Sequence, residues 1–168
     1  MKAIVVYESM FGNTAVIAAV IADGLSETYD VTLTDVRDMP PVAGFDLLVL
    51  GAPTHAFGMS RPRTRADAAD KGEVRPDTEK VGIREFLAQS PPLTGLAAAA
   101  FDTKVDKPMT GSAARKALRR LRALGCRTIA PAENFHVTGM TGPLAVGEVD
   151  RARRWARTVG ASLAPQAT

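Results

Sequence analysis

Short apolar runs recur along the chain and predict the strands of a buried sheet. Residues 2–7 (KAIVVY) and 45–50 (FDLLVL) are mostly apolar, which is typical of strands covered on both faces. Residues 31–36 (VTLTDV) alternate between apolar and polar positions and predict a half-exposed strand. Two more runs predict strands at residues 96–101 (LAAAAF) and 126–130 (CRTIA), the latter continuing after Pro131 through residues 134–137.

Most segments between these apolar runs have apolar residues at helical spacing. This spacing predicts helices from residue 15 to about 27, over residues 81–89 and over residues 110–124, the last with a basic outer face. A closing helix has an apolar face marked by Val149, Ala152, Ala156, Val159 and Leu163. The intervals 37–45 and about 59–80 are rich in proline or polar residues and predict loops, the first with at most one short turn.

Strands that alternate with helices predict an α/β, doubly wound three-layer sandwich around a parallel sheet of five strands. In such folds the ligand binds outside the carboxyl ends of the strands. The loops that follow strands one, three, four and five are therefore the candidate functional segments.

Length and cysteine content narrow the class of protein. A chain of 168 residues with 46% hydrophobic residues is long enough for one core, so we expect a single domain over residues 1–168. Cys126 is the only cysteine and cannot form an intramolecular disulfide. Because the sequence also has no signal-peptide core and no run of about 20 apolar residues, we expect a cytoplasmic protein without a membrane span.

Charge is distributed unevenly along the chain. Residues 1–58 hold two basic and seven acidic residues, whereas residues 59–168 hold 19 basic and 11 acidic ones. A basic surface in the later part can attract nucleic acid, an anionic membrane surface or an acidic protein. No zinc-ligand cluster, ribonucleoprotein motif or helix-turn-helix signature accompanies it, so we expect neither a nucleic-acid partner nor a metal site.

The loop after the first strand, residues 8–14 (ESMFGNT), has the chemistry of a phosphate cradle. Gly12 allows close backbone approach, Ser9, Asn13 and Thr14 offer short polar side chains, and the free amides of the following helix start attract anions. The loop has neither the lysine of a Walker A motif nor the GxGxxG of a dinucleotide site. Taken alone, it is explained equally well as a glycine turn with a helix cap.

Two further loops bring aromatic and polar groups to the same predicted edge. After the third strand, residues 51–58 (GAPTHAFG) offer the rings of His55 and Phe57, on which a planar ligand can stack. After the fourth strand, Asp102 and Thr103 can hydrogen-bond the edge of a heterocycle. The alternative interpretations are a structural histidine and an ordinary polar turn.

The segments YESMFGNT and GAPTHAFG resemble the phosphate loop and the isoalloxazine loop of the flavodoxin and nitric oxide synthase flavodoxin-domain family. The resemblance covers residue 2 to about residue 163. It implies a flavodoxin-like sheet of order 2-1-3-4-5, one noncovalently bound FMN and electron transfer through the flavin. It implies phosphate contacts from Ser9, Met10, Phe11, Gly12, Asn13 and Thr14. It implies flavin-ring contacts from Pro53, Thr54, His55, Phe57, Gly58, Asp102 and Thr103.

The sequence departs from that family's usual pattern in three ways. Phe11 replaces a phosphate-loop threonine, Trp155 falls in the last helix instead of a flavin loop, and the chain is basic where electron-shuttle flavodoxins are acidic. We therefore expect one flavin face to stay open to a flat acceptor. The basic loop that follows can attract an anionic substrate or an acidic protein to that face, or be an ordinary solvated loop. Its cations are Arg61, Arg63, Arg65, Lys71 and Arg75.

Three functions are compatible with these observations. The chain is an electron carrier serving a redox partner protein, an NAD(P)H-dependent quinone reductase of flavodoxin type acting on a small planar acceptor, or a non-catalytic binding module with a degenerate flavin site. Residues 101–112 lack the glycine-rich segment of flavodoxin-type quinone reductases, which favours electron transfer. A response-regulator receiver is excluded, because Glu8 alone and residues 51–53 do not supply its acidic pair and phosphoacceptor aspartate.

Overall fold

A six-stranded sheet forms the middle layer of the structure, a computed structural model that describes residues 1–55, 57–74 and 80–163. The strands are β1 (Lys2–Tyr7), β2 (Asp30–Asp35), β3 (Leu47–Pro53), β4 (Ala97–Val105), β5 (Arg127–Thr128) and β6 (Glu133–Val137). Their order is β2-β1-β3-β4-β5, β6 also pairs with β4, and every pairing between these strands is parallel. The predicted doubly wound α/β sheet of order 2-1-3-4-5 is confirmed.

The fifth predicted strand is divided into two pieces on the same edge of the sheet. β5 pairs with Ala97 and Ala98 at the start of β4, and β6 pairs with residues 101–105 at its end. Pro131 lies between the two pieces and has no N–H to donate to the sheet. The sheet therefore gains a sixth strand without changing its order.

Helices cover both faces of the sheet. They are α1 (Asn13–Leu25), α2 (Pro62–Lys71), α3 (Ile83–Gln89), α4 (Ala113–Ala123) and α5 (Glu148–Ala161), and a 3-10 turn spans Val36–Asp38. α1 and α5 supply buried residues to the core on one face, whereas α3 and α4 supply them to the core on the other. The result is the predicted three-layer sandwich.

Strict alternation along the central strands builds these two cores. In β1, Ala3 and Val5 face α1 and α5, whereas Ile4 and Val6 face α3 and α4, and all four are buried. Successive side chains of a strand point to opposite faces of the sheet. A sheet covered on both faces therefore requires apolar residues at both odd and even positions.

An aromatic cluster beneath the sheet contains the only tryptophan. Trp155 on α5 packs edge-to-face against Phe101 and Phe135, with ring centroids 6.1 Å apart in each pair. Gly51 in β3 makes room for this cluster, because a Cβ atom there would lie 2.1 Å from Cζ of Phe101. The tryptophan is thus partly buried against the core and lies in the last helix, where the sequence placed it, and not in a flavin loop.

Two segments differ from the sequence-based expectation. β4 continues to Val105 instead of ending at Phe101, because pairing with β6 extends its ladder, and Asp102 and Thr103 therefore lie within a strand and not in a loop. The predicted long loop at about 59–80 contains α2, and its residues 75–79 lie outside the described part of the chain. Pro62 occupies the first position of α2, where its fixed φ favours a helix, and this proline was the overlooked signal.

Candidate functional site

A cavity of about 400 Å³ opens at the carboxyl edge of the sheet, where the fold class predicts a ligand. The loop after β1, the end of β3 and the end of β4 all contribute to its wall. Together with α2 and the segment around residues 137–140, they enclose a space within the range of about 300–1,000 Å³ that is usual for small-molecule sites. The predicted site residues that line it are Ser9, Met10, Phe11, Asn13, Thr14, Pro53, Thr54, His55 and Thr103.

The loop after β1 leads into α1 through a residue whose backbone is in the left-handed conformation. Gly12 is the N-cap of α1 at φ 101°, a conformation that favours glycine, and a Cβ atom there would meet nothing within 4 Å. Glycine is therefore needed for the backbone turn and not for space inside the protein. The Gly12 N–H donates to Oγ of Ser9 at 3.2 Å, which tightens the loop.

The start of α1 presents backbone donors that the helix itself cannot satisfy. The first N–H group bonded along the helix is that of Val16, which donates to the Gly12 carbonyl at 3.0 Å. The N–H groups of Asn13, Thr14 and Ala15 precede it and have no acceptor within the helix. Such a cluster of donors at the positive end of a helix dipole is suited to a phosphate.

A buried hydroxyl pair joins this loop to β4. Oγ1 of Thr14 and Oγ1 of Thr103 are 2.7 Å apart, and both side chains are buried. When Thr103 donates this bond, the Thr14 proton stays available for a ligand oxygen, because a hydroxyl both donates and accepts.

His55 forms the wall of the cavity after β3. Its backbone N–H donates to the Gly58 carbonyl, and the Gly58 N–H donates back to the His55 carbonyl, each at 2.7 Å, which closes a tight turn. Burial, followed by the positive charge of Arg65, lowers the pKa of the imidazole to about 4. The ring is therefore neutral at pH 7, and its Nδ1 lies 3.3 Å from Oγ1 of Thr64 on α2.

Four predicted site residues do not line the cavity: Gly12, Phe57, Gly58 and Asp102. Asp102 follows the alternation of β4, so its side chain points towards α4 on the opposite face from Thr103. Its Oδ2 accepts from Oγ of Ser112 at 2.7 Å and from the Ala114 N–H at 3.0 Å, and its Oδ1 accepts from Nδ2 of Asn134 at 2.8 Å. This carboxylate therefore binds the start of α4 and does not face the cavity.

Helix α2 lines the cavity, where the sequence predicted a loop. Thr64, Asp67, Ala68 and Lys71 follow the i, i+3, i+4, i+7 pattern of one helix face, and this face lines the cavity. At the end of the helix, a Cβ atom on Gly72 would lie 3.3 Å from Cε1 of Phe11 in the loop after β1. The segment expected to be a basic loop beside an open flavin face is thus a helical wall.

A buried polar network anchors the first half of α2. The Arg65 guanidinium is fully buried, and it donates through Nη2 to Oε1 of Glu85 at 2.5 Å and through Nη1 to Oγ of Ser60 at 2.7 Å. Ser60 donates to Oε2 of Glu8 at 2.5 Å, and Oε1 of Glu8 accepts from the Ile83 N–H at 2.8 Å. Burial raises the pKa of the Glu8 carboxyl.

The cations of the basic segment differ in their exposure to solvent. Arg65 is a core residue and takes no part in steering, because its guanidinium has no contact with solvent. Arg61, Arg63 and Lys71 are exposed, whereas Arg75 lies outside the described residues.

Residues 1–55, 57–74 and 80–163 contain no feature that indicates a metal site or a membrane span. Within them, no group of three or more His, Cys, Asp or Glu side chains is arranged to hold a metal ion. No helix in the same part of the chain has the length and apolar character needed to cross a membrane.

Solved flavodoxin structures match the chain over nearly its whole length. A flavodoxin from the domain Archaea is 22% identical, with a TM-score of 0.67 over 96% of this chain and 97% of the other. Flavodoxin 1 from Bacillus cereus is 20% identical, with a TM-score of 0.68 over 98% and 100% of the two chains. A Pseudomonas aeruginosa flavodoxin variant is 16% identical, with a TM-score of 0.66 over 98% and 100%. No protein-family model and no curated protein matches the chain. These comparisons establish a flavodoxin-like fold.

Proposed function

We propose that this chain of flavodoxin-like fold binds one FMN noncovalently and carries electrons through it. The observation that carries the proposal is the single cavity shared by the donor-rich start of α1 and the end of β3. A helix start with unsatisfied N–H groups suits the phosphate of FMN, and the neighbouring wall suits its flat ring.

The phosphate end of the cavity has the donor set that FMN requires. Ser9, Asn13 and Thr14 supply polar side chains next to the free N–H groups of α1. The one carboxylate of this loop, Glu8, is buried and turned to Ser60 and α3, so it does not repel an anion at the helix start. No second phosphate motif follows, which favours FMN over FAD.

The remaining wall is suited to hold and tune a flavin ring. Pro53 and Thr54 end β3, and Oγ1 of Thr54 accepts from the Ala113 N–H at 3.0 Å, which leaves its proton for a ligand. His55 adds a neutral imidazole, because burial keeps its pKa low. A bound flavin supplies one- and two-electron transfer chemistry, and these residues orient it and limit its contact with water.

The sequence after β4 favours an electron carrier over a quinone reductase, because residues 101–112 lack the glycine-rich segment of flavodoxin-type quinone reductases. The cavity of about 400 Å³ is large enough for one ligand of the size of a flavin, and α2 forms one wall of it. Electrons would then leave to a redox partner protein. We assign this reaction to the cytoplasm, because Cys126 is a buried free thiol and no disulfide supports the fold.

Ligand titration of the flavin-free protein tests the proposal. Calorimetry is expected to show one FMN per chain and weaker binding of FAD. Thr14→Val removes a hydrogen bond to a charged phosphate and is expected to weaken FMN binding by about 10- to 100-fold, from roughly 1.5–3 kcal/mol. Riboflavin, which has no phosphate, is expected to lose much less affinity.

Thr14→Ser is the matched control, because it keeps the hydroxyl and is expected to keep FMN affinity within a few-fold. Equal losses of FMN and riboflavin affinity in Thr14→Val would show that the loop does not bind phosphate. A protein without flavin absorbance after FMN addition and gel filtration would instead be a non-catalytic binding module.

A further inference from the structure

A strongly cationic helix lies beside the turn that connects β3 to α2. Residues 107–132 contain seven basic residues and no acidic ones. Five of the seven are on α4, and none of these five forms an ion pair within the described part of the chain. They are Arg115, Lys116, Arg119, Arg120 and Arg122. Their charges are therefore available to an outside partner.

Cations from two helices, α4 and α3, lie against this turn. The Lys116 side chain covers Gly58, since a Cβ atom on Gly58 would lie 2.7 Å from its Nζ. Arg84 of α3 donates through Nε to the Ser60 carbonyl at 3.1 Å and through Nη2 to the Met59 carbonyl at 3.0 Å. It is therefore fixed against the same turn.

Arg61 and Arg120 are both close enough to Arg84 for their charges to affect it. Burial, followed by the positive charges of Arg61 and Arg120, lowers the pKa of the Arg84 guanidinium. Concentrating like charges in this way is electrostatically unfavourable for the chain alone, and an acidic partner would relieve it.

An exposed aromatic ring belongs to the same turn, one residue before Gly58, which the Lys116 side chain covers. Phe57 is 65% exposed, although it follows the cavity residue His55 by only two positions. Its φ of 73° is uncommon for a bulky residue, and its backbone pairs with Gly111 in the loop before α4. Aromatic residues and arginine are both enriched at the centres of protein interfaces.

We propose that Phe57, Arg61, Arg84, Lys116 and Arg120, here called the cationic face, dock an acidic redox protein that exchanges single electrons with the flavin. This inference rests on the proposed function. It adds that the partner is acidic and that it binds at the cationic face. In each exchange one electron leaves the reduced centre of one protein and enters the oxidised centre of the other, and no bond is formed or broken.

The geometry favours a protein over a small anion or a nucleic acid. None of the five residues lines the cavity, so the cationic face is not a subsite for a second small ligand. Lys116 and Arg120 are one helical turn apart, about 6 Å along the axis, on the same side of α4. A docked protein there is next to the cavity wall at His55, as electron transfer requires, whereas a nucleic acid would gain nothing from that position.

The test uses an acidic plant-type [2Fe–2S] ferredoxin as the probe and reverses two charges. Lys116→Glu/Arg120→Glu is compared with Arg127→Glu/Arg154→Glu, a matched pair of the same total charge whose residues are exposed on β5 and α5. Calorimetry measures ferredoxin binding. Stopped-flow absorbance measures the rate at which reduced ferredoxin reduces the FMN-loaded protein. Both are recorded at about 20 and 300 mM salt, between which the screening length falls from roughly 20 to 6 Å.

At low salt the reversal at Lys116 and Arg120 is expected to slow reduction at least tenfold and weaken binding similarly, against less than twofold for the control pair. The difference is expected to vanish at high salt. If the Glu pair does not fold, Lys116→Gln/Arg120→Gln is measured instead, with about a threefold expected effect. Equal effects of the two pairs, an absence of salt dependence, or tighter binding of a single-stranded oligonucleotide than of ferredoxin would overturn the proposal.

Failure of the docking proposal is distinguishable from failure of the proposed function. FMN binding is measured first and without any partner, so a chain that binds no flavin is identified before ferredoxin is added. Ferredoxin binding by the flavin-free chain then still tests the cationic face, because calorimetry requires no electron transfer.

Discussion

Replacement of Arg65 by methionine tests how the helical wall of the cavity is held. The guanidinium is fully buried and pairs with Glu85 at 2.5 Å, while its other arm donates to Ser60 at 2.7 Å. Methionine fills similar space but leaves Glu85 and the buried Glu8 without their cation. Removing one partner of a buried ion pair lowers the unfolding free energy by roughly 3–5 kcal/mol. For a chain of this size, each 1 kcal/mol lowers Tm by roughly 2–4 °C, so a decrease of about 6–20 °C is expected.

Urea denaturation followed by circular dichroism measures this loss. Arg63→Met on the same helix is the control, because Arg63 is exposed and its replacement is expected to change the unfolding free energy by about 0.5 kcal/mol or less. Glu85→Gln and the double variant Arg65→Met/Glu85→Gln complete a cycle in which a coupling of at least about 1 kcal/mol is expected.

The same substitution is expected to affect the ligand site. Arg65 lies on α2 between the lining residues Thr64 and Asp67, so its loss is expected to weaken FMN binding as well as the fold. A destabilisation below about 1 kcal/mol, or one equal to that of Arg63→Met, would refute the conclusion that the buried pair anchors α2.

Two other predictions concern His55 and Asp102. The folded pKa of His55 is about 4, below the 6.5 of an unfolded imidazole, so the unfolded chain binds the extra proton and stability falls as pH decreases from 6.5 to 4. His55→Gln is expected to remove up to about 3 kcal/mol of this decrease. The measurement is the unfolding free energy as a function of pH, and superimposable profiles of the wild type and the variant would contradict the low pKa of His55. Asp102→Asn is expected to destabilise the fold by about 2–3 kcal/mol, because Asn134 then faces a donor, while flavin affinity in the same titration changes less than twofold. A large loss of affinity without a loss of stability would place Asp102 in the flavin site.

Much of the architecture was readable from local patterns in the sequence. Apolar residues at both phases of β1 and β3 predict strands covered on both faces, and the alternation of strands with helices predicts the parallel sheet. The carboxyl ends of parallel strands meet at one edge, so Thr14, Pro53 and His55 could be assigned to one site before their distances were known. These features depend on neighbours in sequence or on rules that hold for the whole fold class.

Only the tertiary structure decided the roles of the charged residues around that site. Arg65 and Arg61 look alike in sequence, yet Arg65 is buried against Glu85, 20 residues away, whereas Arg61 is exposed. Asp102 was expected at a loop, but pairing with β6 extended its strand and turned its carboxylate to α4. A charge is tolerated inside a protein only where distant groups satisfy it, and composition and periodicity do not encode those distant partners.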